Sequence, residues 1–212
     1  MAELVTKADL LAKLGAYSTV QDDEGVQYKE KIKKNLLRCP ELLYALDNKN
    51  FEPELFREDG SINWNPETQE PEGDWELYFG ENSNIRPFLY IPETQDEPMN
   101  FVCYQVHFDE LPRYQDNLKY TQITFNIFCH GKNIMDDATA IPRHDLIASI
   151  LRERFNWTNI FGMQVHIISS KESLTDNNYV TRTLIFQLTD TNGITQTPYG
   201  GKTQTVNWQH RR

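Results

Sequence analysis

The chain has 212 residues, a net charge of −10 and a mean hydropathy of −0.63. It has no stretch approaching the ~20 apolar residues that cross a bilayer, so we expect no membrane partner. Its three cysteines, Cys39, Cys103 and Cys129, are too few and too scattered for a disulfide framework. Their odd number favours free thiols, and the first ten residues lack the apolar stretch of a signal peptide. We therefore expect a protein of the cytoplasm.

The negative charge is concentrated in one segment. Residues 61–100 hold nine Asp/Glu and a single basic residue, Arg86, which is −8 of the total of −10. A protein that grips nucleic acid usually carries a basic patch or stripe. Here only Lys29–Lys34 and the terminal Arg211-Arg212 come close. Sequence-specific DNA binding is not expected.

The first 50 residues form a predicted helical region. Thr6-Lys7-Ala8-Asp9 fits a capping box that opens a helix with three leucines on one side, Leu10, Leu11 and Leu14. Gly15 is placed to end this helix. Apolar spacing predicts a second helix over about 25–37, and Pro40 can open a third through Leu46.

Residues 51–99 show no sustained periodicity and contain six prolines. They nevertheless carry eight aromatic side chains, which a disordered linker seldom does, among them Trp64, Trp75, Tyr78, Phe79, Phe88 and Tyr90. We predict an extended acidic arm that lies on its own core or on a neighbour's surface, with disorder as the alternative. In the second arrangement Trp64 and Trp75 are candidate interface residues.

Two segments, 101–108 and 121–130, alternate apolar and polar residues as half-buried strands do. An antiparallel register whose opposed residue numbers sum to an odd value brings the two apolar faces together. The predicted pairs are Val106 with Ile123, Tyr104 with Phe125, and Val102 with Ile127. A slip of one residue would place Gln and Asn side chains in the core.

After these strands, Pro142 opens a predicted helix through Phe155 with a wide apolar stripe. Two more strands are predicted over 163–169 and 179–189. The core over residues 100–190 therefore has the order β-β-α-β-β. The predicted fold class is α+β: a small antiparallel sheet packed with one helix, plus N-terminal helices and extended arms. We expect the six core side chains Val106, Ile123, Phe125, Ile150, Leu184 and Phe186 to be buried together.

Arg182 interrupts the apolar face of the last strand, where an unpaired charge would be costly. We expect carboxylates or carbonyl groups around its guanidinium, or an exit to a subunit interface. The tail, residues 191–212, has too few apolar groups to pack as a domain. Its interface candidates are Tyr199 and Trp208 as anchors, with Arg211 and Arg212 meeting an acidic neighbour such as the 61–100 segment.

No residue pattern predicts catalysis, a metal or a cofactor. Cys103 and His107 are about 13 Å apart along a strand, too far to share one ion. His144 is expected to be a first-turn surface group that does not face Asp145. Three carboxylate clusters, Asp22-Asp23-Glu24, Asp109-Glu110 and Asp136-Asp137, are expected to be solvated loop charge, and no Gly-rich phosphate loop is present. We expect the protein not to be an enzyme.

Several runs over residues 85–190 resemble neck and tail-completion proteins of tailed bacteriophages. Two lie on the first strands, Phe101-Val-Cys-Tyr-Gln-Val-His-Phe-Asp and Ile123-Thr-Phe-Asn-Ile-Phe-Cys-His, and Tyr114-Gln-Asp-Asn lies between them. The others are Ile141-Pro-Arg-His-Asp-Leu-Ile, Phe155-Asn-Trp-Thr-Asn-Ile-Phe-Gly and Asp176-Asn-Asn-Tyr-Val-Thr-Arg-Thr-Leu. The family's usual fold is a small α+β unit of sheet and helix, which agrees with the fold predicted from periodicity.

The resemblance implies a virion protein assembled in the host cytoplasm: a tail terminator or head–tail connector that forms a homo-oligomeric ring. Its implied partners are other phage neck, connector and tail-tube proteins, and DNA passes through the ring without specific binding. A channel that passes DNA should repel phosphate, and an acidic subunit suits that purpose. A monomeric or dimeric α+β binding module, or a cryptic metal-dependent enzyme, is the alternative.

Overall fold

The computed structural model describes residues 6–16, 24–81, 83–89, 99–108, 118–175 and 178–191. Its α-helices are α1 (Lys7–Ala16), α2 (Glu24–Leu36), α3 (Pro40–Ala45), α4 (Glu52–Leu55) and α5 (Arg143–Phe155). Its strands are β1 (Trp64–Asn65), β2 (Glu70–Pro71), β3 (Ile85–Arg86), β4 (Phe101–Phe108), β5 (Leu118–His130), β6 (Val165–Leu174) and β7 (Tyr179–Thr191). The α+β prediction is confirmed.

The main sheet has five strands in the order β3-β4-β5-β7-β6. Its four long strands pair antiparallel and follow the predicted β-β-α-β-β order. The predicted register is confirmed at all three pairs: Val106 with Ile123, Tyr104 with Phe125, and Val102 with Ile127. The sheet differs from the prediction by a fifth strand, β3, which pairs parallel to β4. Two residues are too few to show an alternating pattern in a sequence.

Helix α5 covers one face of the sheet. Pro142 occupies its N-cap position and the helix ends at Phe155, as predicted. The ring of Phe155 lies 5.1 Å from that of Phe125 at the centre of β5. Four of the six predicted core residues are fully buried, Ile123, Phe125, Leu184 and Phe186, and the other two pack against them half-buried. The prediction is therefore confirmed for four residues, whereas Val106 and Ile150 are only half-buried.

The N-terminal helices contribute to the same apolar core. Ile32 on α2 and Leu42 and Leu43 on α3 are fully buried together with the sheet residues. The capping box at α1 is confirmed: the Asp9 N–H donates to Thr6 Oγ1, and the Thr6 N–H donates to Asp9 Oδ2. This helix continues one residue past Gly15, to Ala16.

Residues 52–81 fold onto the core as a small lobe, which we call the acidic lobe. It consists of α4, the β1–β2 hairpin and a 3-10 turn over Trp75–Tyr78. Gly73 fixes its geometry, because a Cβ there would lie 2.1 Å from the carbonyl oxygen of Glu54. The same oxygen accepts a hydrogen bond from the Trp75 indole at 2.9 Å. The sequence predicts that this segment lies either on its own core or on a neighbour's surface. In the structure, residues 52–81 lie on the chain's own core.

Among the described residues, none of the helices combines the length and the apolar character needed to span a membrane.

Candidate functional site

Arg182 on β7 lies at the centre of a charged cluster where α5 meets β6. Its Nη2 is 2.7 Å from Asp145 Oδ1 and 3.1 Å from Glu172 Oε2. Its Nη1 is 3.3 Å from the hydroxyl of Ser170. The sequence-based expectation of carboxylates around this guanidinium is confirmed, and they come from a helix and from the neighbouring strand.

His144 belongs to the same cluster, and the prediction that it lies on the surface is wrong. The residue is 4% exposed. Its Nε2 lies 3.5 Å from Glu172 Oε2 and 3.7 Å from Asp145 Oδ2. Helical spacing explains the burial, because His144 shares a face of α5 with Ala148 and Leu151, and both are fully buried.

The ligand atoms of His144, Asp145 and Glu172 all lie within 4.8 Å of one another, close enough for a metal ion. However, the guanidinium of Arg182 already contacts both carboxylates and occupies the position of the cation. A divalent ion added there would face a fixed positive charge at short range. The residues therefore fit an ion-pair network that ties α5 to β6 and β7 better than they fit a metal centre.

We predict that Arg182→Met lowers the free energy of unfolding by about 1 kcal/mol, because it removes the ion pairs with Asp145 and Glu172. The loss is small because both carboxylates are more than a third exposed and are partly screened by water. Denaturant melts at low and at high salt measure the effect, which should shrink as salt rises. Arg152→Met is the matched control, because Arg152 is an exposed arginine of the same region that donates only to Ser149 among the described side chains. Equal stability of the two variants would contradict a stabilising role for the cluster.

A second, more deeply buried network surrounds Arg143 at the first turn of α5. Arg143 is 5% exposed, and its Nη1 lies 3.2 Å from Asp136 Oδ1. Its Nη2 is 3.5 Å from Asp47 Oδ2, and Nη1 is 3.4 Å from the carbonyl oxygen of Ala45. The side chain thus joins the end of α3 to the loop that precedes α5.

Asp136 corrects another expectation, since it is buried rather than part of a solvated loop cluster. The Thr139 hydroxyl donates to Asp136 Oδ2 at 2.6 Å and, with the backbone N–H of Thr139 and the charge of Arg143, holds the pKa of this carboxyl below its usual value. Asp137 beside it is exposed. The clusters Asp22-Asp23 and Asp109-Glu110 lie outside the described residues.

The two tryptophans predicted as interface candidates stack on each other, with ring centroids 5.8 Å apart. Trp75 is fully buried and Trp64 is half-buried. In this fold Trp75 presents no surface to a partner, and Trp64 presents only a partial one. The remaining candidates, Tyr199, Trp208, Arg211 and Arg212, lie outside the described residues.

Cys39 borders an open cavity of about 420 Å³ between α2 and α5. Burial raises the pKa of its thiol, an effect that Arg154 only partly opposes. A protonated thiol is a weak nucleophile, so the cavity offers no activated cysteine. Burial raises the pKa of Cys129 in the same way, to about 12.

Two exposed surfaces stand out among the described residues. All residues of α1 whose exposure is described are exposed, including its leucines at 45%, 55% and 54% for Leu10, Leu11 and Leu14. The acidic lobe carries ten Asp/Glu against one basic residue, Arg57. An apolar helix face and a strongly acidic surface are the features of this chain best suited to binding another macromolecule.

The fold and its charge clusters thus define an α+β protein whose buried ion pairs tie one helix to the elements around it. A family model described as YomW matches residues 40–188, most of the chain, and the protein belongs to the YomW family. The family name is that of a Bacillus phage-region gene product, which makes this a phage-related protein. Comparison with curated proteins finds no match.

Proposed function

We propose that this protein is a structural subunit of the neck of a tailed phage. It forms a ring that joins head to tail around the DNA channel, as a tail terminator or a head–tail connector. Membership of a phage-related family supports this assignment. All but the last two residues of the stretch that resembles neck proteins, 85–190, lie within the matched segment, residues 40–188.

The observation that carries the proposal is the exposed leucine face of α1. A ten-residue helix is marginal in water by itself, and most helices in proteins gain their stability from packing an apolar face. Here the described residues of the chain leave that face open. A subunit of a larger assembly resolves the conflict, because a neighbouring molecule then covers the leucines.

The negative charge of the acidic lobe supports a position in which the lobe faces passing DNA but does not bind it. Four of its carboxylates pair with basic residues, namely Lys33, Arg38, Lys49 and Arg57. Others, such as Glu58, Asp59 and Asp74, are exposed. Repeated around a ring, these carboxylates repel phosphate and let DNA pass without salt-sensitive contacts that would slow it.

We predict that phage particles made without this protein fail at the join between head and tail. Electron microscopy of lysates from phage with an early stop codon in this reading frame tests the prediction. Tailless heads beside loose tails indicate a joining role, and overlong tail tubes indicate a terminator. Supplying the wild-type chain from a plasmid is the control and should restore complete particles.

The alternative, a monomeric or dimeric α+β binding module or a metal-dependent enzyme, gives different results. Complete infectious particles from the stop-codon phage would contradict the neck assignment. Native mass spectrometry of the purified chain adds a second criterion, since a ring subunit should populate a closed oligomer as concentration rises.

A further inference from the structure

We propose that the apolar face of α1 docks on the acidic lobe of a second copy of this chain, so that each subunit holds the next. This inference rests on the proposed function only in requiring copies of the chain to assemble. It names the two surfaces that meet, which neither the fold nor the family specifies.

The face of α1 that would be buried combines leucines with positive charge. At about 100° per residue, Leu10, Leu11 and Leu14 fall within one third of the helix circumference. Lys7 lies within the same arc, and Lys13 lies about 60° beyond its edge, within reach of a partner that covers the leucines. Asp9 lies on the opposite side, where its carboxylate accepts hydrogen bonds from the N–H and hydroxyl of Thr6.

The capping box favours the helical conformation of α1 before it docks, which reduces the entropy lost on binding. The reciprocal capping bonds between Thr6 and Asp9 satisfy N-terminal donors within the helix itself. Lys13 in the last turn complements the helix dipole. A preformed amphipathic helix is a common ligand for a groove or surface on a partner protein.

The acidic lobe is the surface of this chain with the complementary charge. Residues 52–81 carry ten acidic groups and one basic group, whereas residues 101–212 are nearly balanced at ten and eleven. The lobe also exposes two large apolar side chains, Ile62 and Leu77. Glu67 and Glu81, both exposed, take part in no ion pair among the described residues. The lobe thus offers apolar contact together with carboxylates able to receive lysines.

When each α1 docks on the lobe of the next copy in the same sense around the assembly, the contact is heterologous, and it generates a ring if the rotation between subunits closes. The same two surfaces can also meet twice across a two-fold axis, where each α1 docks on the other subunit's lobe. Both arrangements keep lysines opposite carboxylates, and the size of the oligomer in solution distinguishes them.

A charge swap tests the proposal. Lys7→Glu with Lys13→Glu, and separately Glu67→Lys with Glu81→Lys, should each weaken self-association by about tenfold, because each places like charges across the interface. Combining all four substitutions should restore association to near the wild-type level. Native mass spectrometry and sedimentation over a concentration series measure the effect. Lys132→Glu with Lys171→Glu, exposed lysines outside both surfaces, changes the net charge equally and should leave association unchanged.

Leucine substitutions supply the second arm. Leu11→Ser with Leu14→Ser should weaken association, whereas Leu174→Ser, at a more exposed leucine on β6, should not. If the lysine variant and the leucine variant of α1 both associate as the wild type does, the docking inference is wrong, and the proposed neck function is not affected. A wild-type chain that stays monomeric at every concentration would overturn both. Binding of the wild type to phosphatidylglycerol vesicles, lost in the leucine variant with self-association intact, would make a lipid surface the occupant and overturn the inference.

Discussion

Phe125→Ala should lower the free energy of unfolding by about 3–5 kcal/mol, the range found when a large aromatic side chain is removed from a packed core. Phe125 is fully buried, and its ring lies 5.1 Å from Phe155, 5.8 Å from Phe186 and 6.1 Å from Tyr104. The loss combines the transfer of apolar surface to water with a cavity that helix α5 and the sheet cannot close. Thermal and denaturant unfolding measure it directly.

Phe88→Ala is the matched control, because Phe88 is an exposed phenylalanine of the same chain and should cost much less. A melting temperature for Phe125→Ala equal to that of the wild type would contradict the assignment of strand faces. The slope of the free energy of unfolding against denaturant concentration should be the same in both variants as in the wild type. A change in this slope would indicate an altered unfolded state rather than lost packing.

Arg143→Met should cost about 3–5 kcal/mol, because removing one partner of a buried ion pair leaves the other charge uncompensated. The affected group is Asp136, which is 3% exposed and keeps only its hydrogen bonds from Thr139. Adding Asp136→Asn to Arg143→Met should recover part of the loss, and a double-mutant cycle gives the coupling between the two side chains. Simple additivity of the two substitutions would show that the pair contributes nothing.

The pH dependence gives an independent measure of the same network. The pKa of Asp136 is lower in the folded protein than in the unfolded chain, so its contribution is present above the unfolded value of about 3.9 and is lost as pH falls through the folded pKa. Stability of the wild type should therefore decline below about pH 4, and Asp136→Asn should flatten this part of the profile. If the stability of Asp136→Asn falls below about pH 4 as steeply as that of the wild type, other carboxylates cause the loss of stability in acid.

Arg143 and His144 show what could have been found in the sequence and was not. Both precede buried residues by four positions on α5, Ile147 and Ala148, so the helical period already placed them on the inward face. The prediction of a surface position for His144 disagreed with this period. The partners that make the burial possible, Asp47 and Asp136 for Arg143 and Glu172 for His144, come from distant segments.

The sequence by itself determined the four long strands, the register of β4 with β5, helix α5 and the capping box of α1. These features follow from short-range periodicity, and a register error would have turned every apolar side chain of a strand to the wrong face. Only the tertiary structure decided the parallel strand β3, the folding of residues 52–81 onto the core, and the partners of Arg143 and Arg182. Each depends on contacts between residues far apart in the chain. The local pattern of apolar and polar residues does not show which carboxylate, carbonyl or apolar surface will lie nearby.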